Sequence, residues 1–320
     1  GVGGFHLMVD ARSEPAVQRL RRRKHREAKP FAVLVGSIEE ARTLAVLDSP
    51  DEALLLSVAA PIGLVQGRAN ALAPSVAPDL QTVGLMLASN PLHYLLCRVF
   101  GGPLIATSGN LSDEPICTDE QEAVSRFGGI ADVLLVHNRP IARPMDDSVA
   151  RIVGGQPTVM RRARGYAPAP IPVPDCPRGV LAAGAHQKNA PALSLGGEAI
   201  LGPHVGDLDT SAARERLRRT CEDLTRLYAC SADRVVCDLH PDYGSTRFAE
   251  ALGLPVMRVQ HHLAHAAACL TENRCVEPAL AVVWDGTGYG TDGTIWGGEF
   301  FVCRPGQVHR FGRLRPFALP

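Results

Sequence analysis

Short apolar runs, separated by stretches in which apolar residues recur every three or four positions, make up most of the 320-residue chain. Such runs, bounded by Gly, Pro, Ser or Asn, predict strands. In the first half these are the opening segment "GVGGFHLMVDA", then "FAVLVGS", "APIGLVQ", "PLIATSGN" and "ADVLLVHNRPI". Helices are predicted at "EEARTLAVL", with Ser37 or a neighbour as cap, and at "PLHYLLCRVF". "VARIVGG" followed by "PTVMRRA" predicts a hairpin turning at Gly154 and Gly155.

The pattern breaks at "GYAPAPIPVPDCPRG", from Gly165 to Gly179. Proline removes backbone donors and favours extended chain, so this stretch predicts a linker or a surface crossing between domains. The expected organisation is a first domain over residues 1–168, a proline-rich linker over 169–178 and a second domain over 179–320. In the second, "GVLAAGA", "APALSLGG" and "EAILGPHV" predict an antiparallel meander, and "TSAARERLRRTCEDLTRLYAC" a helix with a Thr or Ser cap. "DRVVCDL", "STRFAEALG", "PVMRVQ", "VQHHLAHAAACLTEN" and "ALAVVWDG" then alternate strand and helix, which argues for an α/β layer fold.

Composition narrows the classes. Lys plus Arg equals Asp plus Glu at 33 each, so no net field draws the chain to nucleic acid or a membrane surface. No apolar run approaches the roughly 20 residues of a membrane span, and the opening lacks the basic start and apolar core of a signal peptide. The nine cysteines form no Cys-x-x-Cys pair, which fits a reducing cytoplasm rather than a disulfide framework. A start without Met and a stop at "RPFALP" read as cuts within a longer sequence.

The alanine-rich helix carries the clearest chemistry. His261 and His265 are four apart and share a face, whereas His262 points about 100° away. Two imidazoles so placed bind one metal ion or, equally, are two partly buried histidines satisfied by backbone or water. Asp285, at the end of an apolar strand, is the candidate third ligand, or else a turn residue before Gly286. Two histidines and a carboxylate suit iron(II) or zinc. Beyond Asp285, "DGTGYGTDGTIWGGEF" holds Gly288, Gly290 and Gly293 in G-x-G-x-x-G spacing. A strand follows rather than a helix, which excludes a dinucleotide fingerprint, and the absence of Gly-Lys-Ser/Thr excludes a Walker loop. What remains is a strand–turn–strand whose N–H groups cradle phosphate, over Gly286, Thr287, Gly288 and Gly290, or an ordinary glycine-rich hairpin.

In the first domain, "RLRRRKHREAKP" is by default a solvated helix face. Lys24 and Arg26 nevertheless lie close to a strand, where they would direct two cations at a polyphosphate. Ser108 and Asn110 follow the strand "PLIA"; Asp146, Asp147 and Ser148, and Arg161, Arg162 and Arg164, add further polar groups. Each is a weak signal, and together they resemble a nucleotide-phosphate pocket.

These pieces carry a resemblance. Lys24-x-Arg26, Ser108-x-Asn110 and Ser148-Val149 resemble YrdC/Sua5-type domains, with a twisted mixed sheet, which make acyl-adenylates from ATP. The His261-x-x-x-His265 pair resembles the Kae1-like domain of the actin-like ATPase superfamily. "GVGGFHL", "TSGN", "DDSVAR", "RRARGYAP", "DLHPDY", "VQHHLAH" and "DGTGYGTDGTIWGGEF", in this order, resemble the HypF family of [NiFe]-hydrogenase maturation carbamoyltransferases.

The resemblance implies a cytoplasmic enzyme that uses ATP with Mg2+, one divalent metal, and carbamoyl phosphate. Carbamate released from carbamoyl phosphate would be joined to ATP in the YrdC-like domain, at Lys24, Arg26, Ser108, Asn110, Ser148 and Arg162. The Kae1-like domain would pass the carbamoyl group to the C-terminal cysteine of HypE, with His261, His265 and Asp285 on the metal. No nucleic acid or membrane is implied. The family's acylphosphatase domain, its zinc fingers and the second half of the Kae1-like domain have no counterpart in this chain. Competing expectations are an antibiotic O-carbamoyltransferase, a tRNA-modifying threonylcarbamoyl fusion and a non-catalytic module that docks HypE.

Overall fold

The structure is a computed structural model that describes residues 1–110 and 116–315, so most of "RPFALP" lies outside the described residues. It divides into two compact units, Gly1–Pro168 and Ala169–Pro320.

The first unit runs β1 (His6–Asp10), α1 (Glu14–Lys24), β2 (Ala32–Val35), α2 (Ile38–Leu44), β3 (Ala45–Val46), α3 (Ser49–Leu55), β4 (Ile62–Gly67), β5 (Thr82–Leu87), α4 (Pro91–Phe100), β6 (Leu104–Ser108), α5 (Glu120–Phe127), β7 (Val149–Val153) and β8 (Gln156–Arg161). Local chemistry sets several of these bounds. Ser37 and Asn90 accept the backbone N–H groups of Glu40 and His93 at the starts of α2 and α4. Gly101 then ends α4 at φ 70°, the left-handed conformation glycine takes without penalty.

The strands form one mixed sheet in the order β1-β6-β2-β5-β4-β7-β8, with β3 beside β4. Parallel pairs (β2 with β5, β4 with β7) mix with antiparallel ones. Phe31, Val33, Val35, Leu85 and Ile105 form its main core with Val17 and Leu20 of α1. The sheet curls strongly: Met145 N donates to Gly3 O at 2.9 Å, joining the start of β1 to the segment entering β7.

One predicted strand is absent. Residues 131–141, "ADVLLVHNRPI", have no ladder partner. Leu134 packs on the core, but Val133, Leu135 and Val136 stay exposed. Apolar content alone did not make this segment a strand, because a strand also needs a neighbour for its backbone groups.

The second unit continues with β9 (Pro170–Pro172), β10 (Arg178–Ala182), β11 (Ala192–Leu195), β12 (Glu198–Leu201), α6 (Ser211–Leu227), β13 (Arg234–Asp238), α7 (Gly244–Ala251), β14 (Val256–Val259), α8 (His261–Glu272), β15 (Ala279–Val283), β16 (Gly288–Tyr289), β17 (Ile295–Trp296), β18 (Glu299–Arg304) and β19 (Gln307–Arg313). Its first sheet has the order β14-β13-β10-β11-β12-β9. The predicted meander is β10–β12, and β13 and β14 add in parallel. The proline-rich stretch is not wholly a linker. Ile171 and its flanking prolines pair with β12 as an edge strand, where a missing N–H costs the ladder least. A second sheet, β15-β18-β19, packs Val283, Phe301 and Cys303 against Ala266 of α8.

Candidate metal centre and phosphate-binding residues

Two parallel strands set up the centre in the second unit. In their register Asp238, the last residue of β13, lies opposite Val259, the last residue of β14. Gln260 follows and caps α8, its side chain accepting the Leu263 N–H at 3.0 Å. His261 therefore opens the helix at the carboxyl edge of the sheet, where α/β folds bind ligands.

His261 Nε2 lies 2.9 Å from Asp285 Oδ2 and 3.2 Å from His265 Nε2, and His265 Nε2 lies 3.8 Å from the same Asp285 oxygen. One ligand atom from each residue falls within 4.8 Å of the others, the one group of this kind among the described residues. Ligands about 2.1 Å from a tetrahedral ion stand roughly 3.4 Å apart, a value that these three separations bracket, so the donor set fits a divalent metal with shifts of a few tenths of an ångström.

The electrostatics separate the two rings. The hydrogen bond to Asp238 raises the His261 pKa, against the opposing effect of burial. Burial, then the neighbouring His261, lowers that of His265. His262 is fully buried and serves the scaffold. Its Nδ1 lies 3.1 Å from Gln260 Nε2 and its Nε2 lies 3.2 Å from Asp285 O.

The glycine segment closes over this helix. A Cβ on Gly288 would sit 2.5 Å from His262 Cε1 and 3.0 Å from His261 Cβ, so the close approach requires glycine. The predicted strand–turn–strand is the β16–β17 hairpin, and "TIWGGEFFV" is split between β17 and β18. Gly290 N–H donates to Thr294 O at 2.8 Å, and Gly293 N–H to Gly290 O at 3.1 Å. Two amides of the glycine pattern are thus spent on closing the hairpin. Gly286 and Thr287 lie between Asp285 and β16.

In the first unit Lys24 is 2% exposed, which overturns the solvated-face expectation at this position. Its ammonium donates to Ser108 O at 2.7 Å, Asn110 O at 2.5 Å and Asn110 Oδ1 at 2.8 Å. All three donors of the group serve the turn after β6. Burial, with Arg26 and Lys29 nearby, lowers its pKa to about 8. Ser108 Oγ donates to Asn110 Oδ1 at 2.8 Å. Arg26 donates to Lys29 O and Pro30 O and lies over the Phe31 ring at 5.0 Å. Burial, Arg21 and then Arg161 lower its pKa to about 10.

Ser148 and Arg162 sit at the far side of the same sheet. Ser148 Oγ accepts the Ala163 N–H at 2.8 Å, and Arg162 donates to Tyr166 O at 3.0 Å. His6 links the two groups, since it pairs with Ser108 across the ladder and lies 3.4 Å from Asp147. Asp147 in turn accepts from Arg164 at 2.7 Å. Sequence reading gave no role to His6 or Asp238, because their partners are remote in sequence and neither residue type is distinctive alone.

Comparison with known proteins bears on both units. Residues 1–163 match the Sua5/YciO/YrdC family model, described as "Telomere recombination". Residues 175–272 match the HypF Kae1-like domain, and residues 281–320 the second subdomain of the carbamoyltransferase Kae1-like domain. A carbamoyltransferase HypF of Synechocystis sp. is 45% identical over 100% of this chain and 42% of its own length. The chain belongs to the HypF carbamoyltransferase family. A full-length HypF crystal structure in a phosphate- and nucleotide-bound form superposes with a TM-score of 0.92 at 42% identity, covering 97% of this chain and 49% of that one. HypF of T. kodakarensis gives a TM-score of 0.92 at 33% identity over 98% of this chain and 42% of its own. The chain thus spans less than half the length of these HypF relatives.

Proposed function

We propose that the chain carries two stations of a carbamoyl-transfer enzyme acting in the cytoplasm. The first forms carbamoyl-adenylate, and the second hands the carbamoyl group to the C-terminal cysteine of HypE, on the route to the cyanide ligands of a [NiFe]-hydrogenase. The observation that carries the reading is the convergence of His261, His265 and Asp285 on one small volume, in a chain of this family.

In the first station, carbamate derived from carbamoyl phosphate attacks the α-phosphorus of ATP, which enters with Mg2+. The bond to pyrophosphate breaks as the carbamate oxygen–phosphorus bond forms. Negative charge shifts onto the leaving group, and fixed cations and donors stabilise it. Arg26 and Arg162 supply cationic side chains, Ser148 accepts the N–H of Ala163 beside Arg162, and Lys24 holds Ser108 and Asn110 in place. In the second station the HypE thiolate attacks the carbamoyl carbon, and AMP departs with the bonding electrons. An iron or zinc ion held by His261, His265 and Asp285 would supply Lewis-acid polarisation of the carbonyl. Gly286, Thr287 and Gly288 would flank the phosphate of the adenylate.

Incubating the chain with carbamate and Mg-ATP tests the first station: pyrophosphate release that depends on carbamate is expected. Its absence would overturn the adenylation assignment. For the second station, the full-length protein with HypE should add one carbamoyl mass to the terminal cysteine.

A further inference from the structure

We propose that Asp238 is the positioning residue of the metal centre, holding the Nδ1 proton of His261 so that the Nε2 lone pair faces the space shared with His265 and Asp285. The inference deepens the metal-centre reading and rests on it. Asp238 is 7% exposed and is fixed from several directions. Its Oδ1 accepts the His240 N–H at 2.8 Å, and Thr246 Oγ1 donates to His240 O at 2.8 Å, which holds the turn carrying that amide. The remaining oxygen, Oδ2, lies 2.5 Å from His261 Nδ1.

A carboxylate only accepts, and a neutral imidazole carries one proton on one of its two nitrogens. Carboxylates face both ring nitrogens, and Asp238 is the nearer, 2.5 Å from Nδ1 against 2.9 Å from Nε2 to Asp285, so the proton is assigned to Nδ1 and Nε2 is left as a donor of electrons to a cation. Nε2 is the nitrogen that faces Asp285 Oδ2 at 2.9 Å and His265 Nε2 at 3.2 Å. A carboxylate behind a ligating histidine is the outer-shell arrangement that fixes ring orientation and strengthens ligand basicity. Asp238 reaches this position because β13 and β14 run parallel in register, one strand ending in the carboxylate and the next leading into the histidine helix.

Asparagine at this position separates positioning from mere packing. Its Oδ1 still accepts from the His240 N–H, while its amide nitrogen donates to Nδ1 and drives the ring proton to Nε2. Nitrogen-15 NMR of the metal-free, histidine-labelled chain, at a pH where the ring is neutral, reads the tautomer. His261 in the unaltered chain is expected as the Nδ1–H form, and Asp238→Asn as the Nε2–H form. Cobalt(II) titration, followed by its d–d absorption, should show ten- to hundred-fold weaker binding in Asp238→Asn, with restoration towards the original affinity in Asp238→Glu. An Nε2–H tautomer in the unaltered chain, or equal cobalt affinity in Asp238→Asn, would overturn the proposal. Failure of the unaltered chain to bind cobalt would instead remove the metal-centre reading, and the tautomer measurement would still decide what Asp238 does to the ring.

Discussion

His6 and Asp147 stand 3.4 Å apart, ring nitrogen to carboxylate, although five strand-to-strand steps separate β1 from β7. In a flat sheet five steps would amount to about 24 Å. The curl that brings them together also brings the Ser108 turn towards Ser148, because Ser108 is the ladder partner of His6.

Removing the charge on Asp147 should loosen this closure. Burial alone would raise its carboxyl, but His6 and Arg164 outweigh that and hold it well below the ordinary carboxylate range. A depressed acid contributes stability above its unfolded value, about pH 3.9, and loses it as pH falls towards the folded value. Asp147→Asn strips Arg164 of a buried partner and should cost about 3 kcal/mol at pH 7. Urea denaturation should show that deficit down to about pH 4 and a shrinking one below. An unchanged midpoint at pH 7 would mean that the backbone ladder alone closes the sheet.

Lys24 predicts a split between binding and stability. Its ammonium is half titrated at about pH 8 in the folded chain, against an ordinary value of 10.5. Between those values the unfolded chain binds more protons, so the contribution of this residue to stability rises with pH. Over the same window a neutral amine keeps only two donors for the three oxygens of Ser108 and Asn110, and its positive charge is gone. ATP affinity should therefore fall above pH 8 without loss of thermal stability from this group. Calorimetric titration at pH 7 and pH 9, with Lys24→Met as a variant lacking this pH step, checks it.

The glycine segment discriminates its members. Gly288→Ala forces a methyl group against His262 and His261 and should destabilise the unit by about 1–3 kcal/mol while weakening metal binding. Gly286→Ala meets nothing within 4 Å, so its melting temperature should match that of the unaltered chain. Thermal unfolding of the two variants side by side tests the contrast.

Much of the architecture was legible because local pattern and tertiary environment agree. "PLHYLLCRVF" opens on a proline and is flanked by the Asn90 cap and the terminal Gly101, and it is α4 without adjustment. The His261–His265 spacing likewise put two rings on one helix face, and Asp285 joins them. Asp238 and His6 escaped because their meaning lies in strand register and sheet curl, which a single chain of letters does not display. "ADVLLVHNRPI" misled for the converse reason: it has no partner strand, and Val133, Leu135 and Val136 remain at the surface.

The two histidines on the shared face should fail differently from the buried one between them. His261 touches Asp238, Asp285 and His265, whereas His262 contacts Gln260 and the Asp285 carbonyl from inside the packed layer. His261→Ala removes a proposed ligand at a half-buried position, so the fold should survive while metal content drops below detection. In the full-length protein, carbamoyl transfer to HypE should then disappear, yet carbamate-dependent pyrophosphate release should persist, because that step is assigned to the other unit. His262→Ala instead leaves a cavity beneath Gly288 and Trp296, and should lower the melting temperature before it affects metal affinity. Metal analysis, unfolding curves and the two half-reaction assays on both variants decide the matter. Equal loss of both half-reactions in His261→Ala would count against dividing the chemistry between the units.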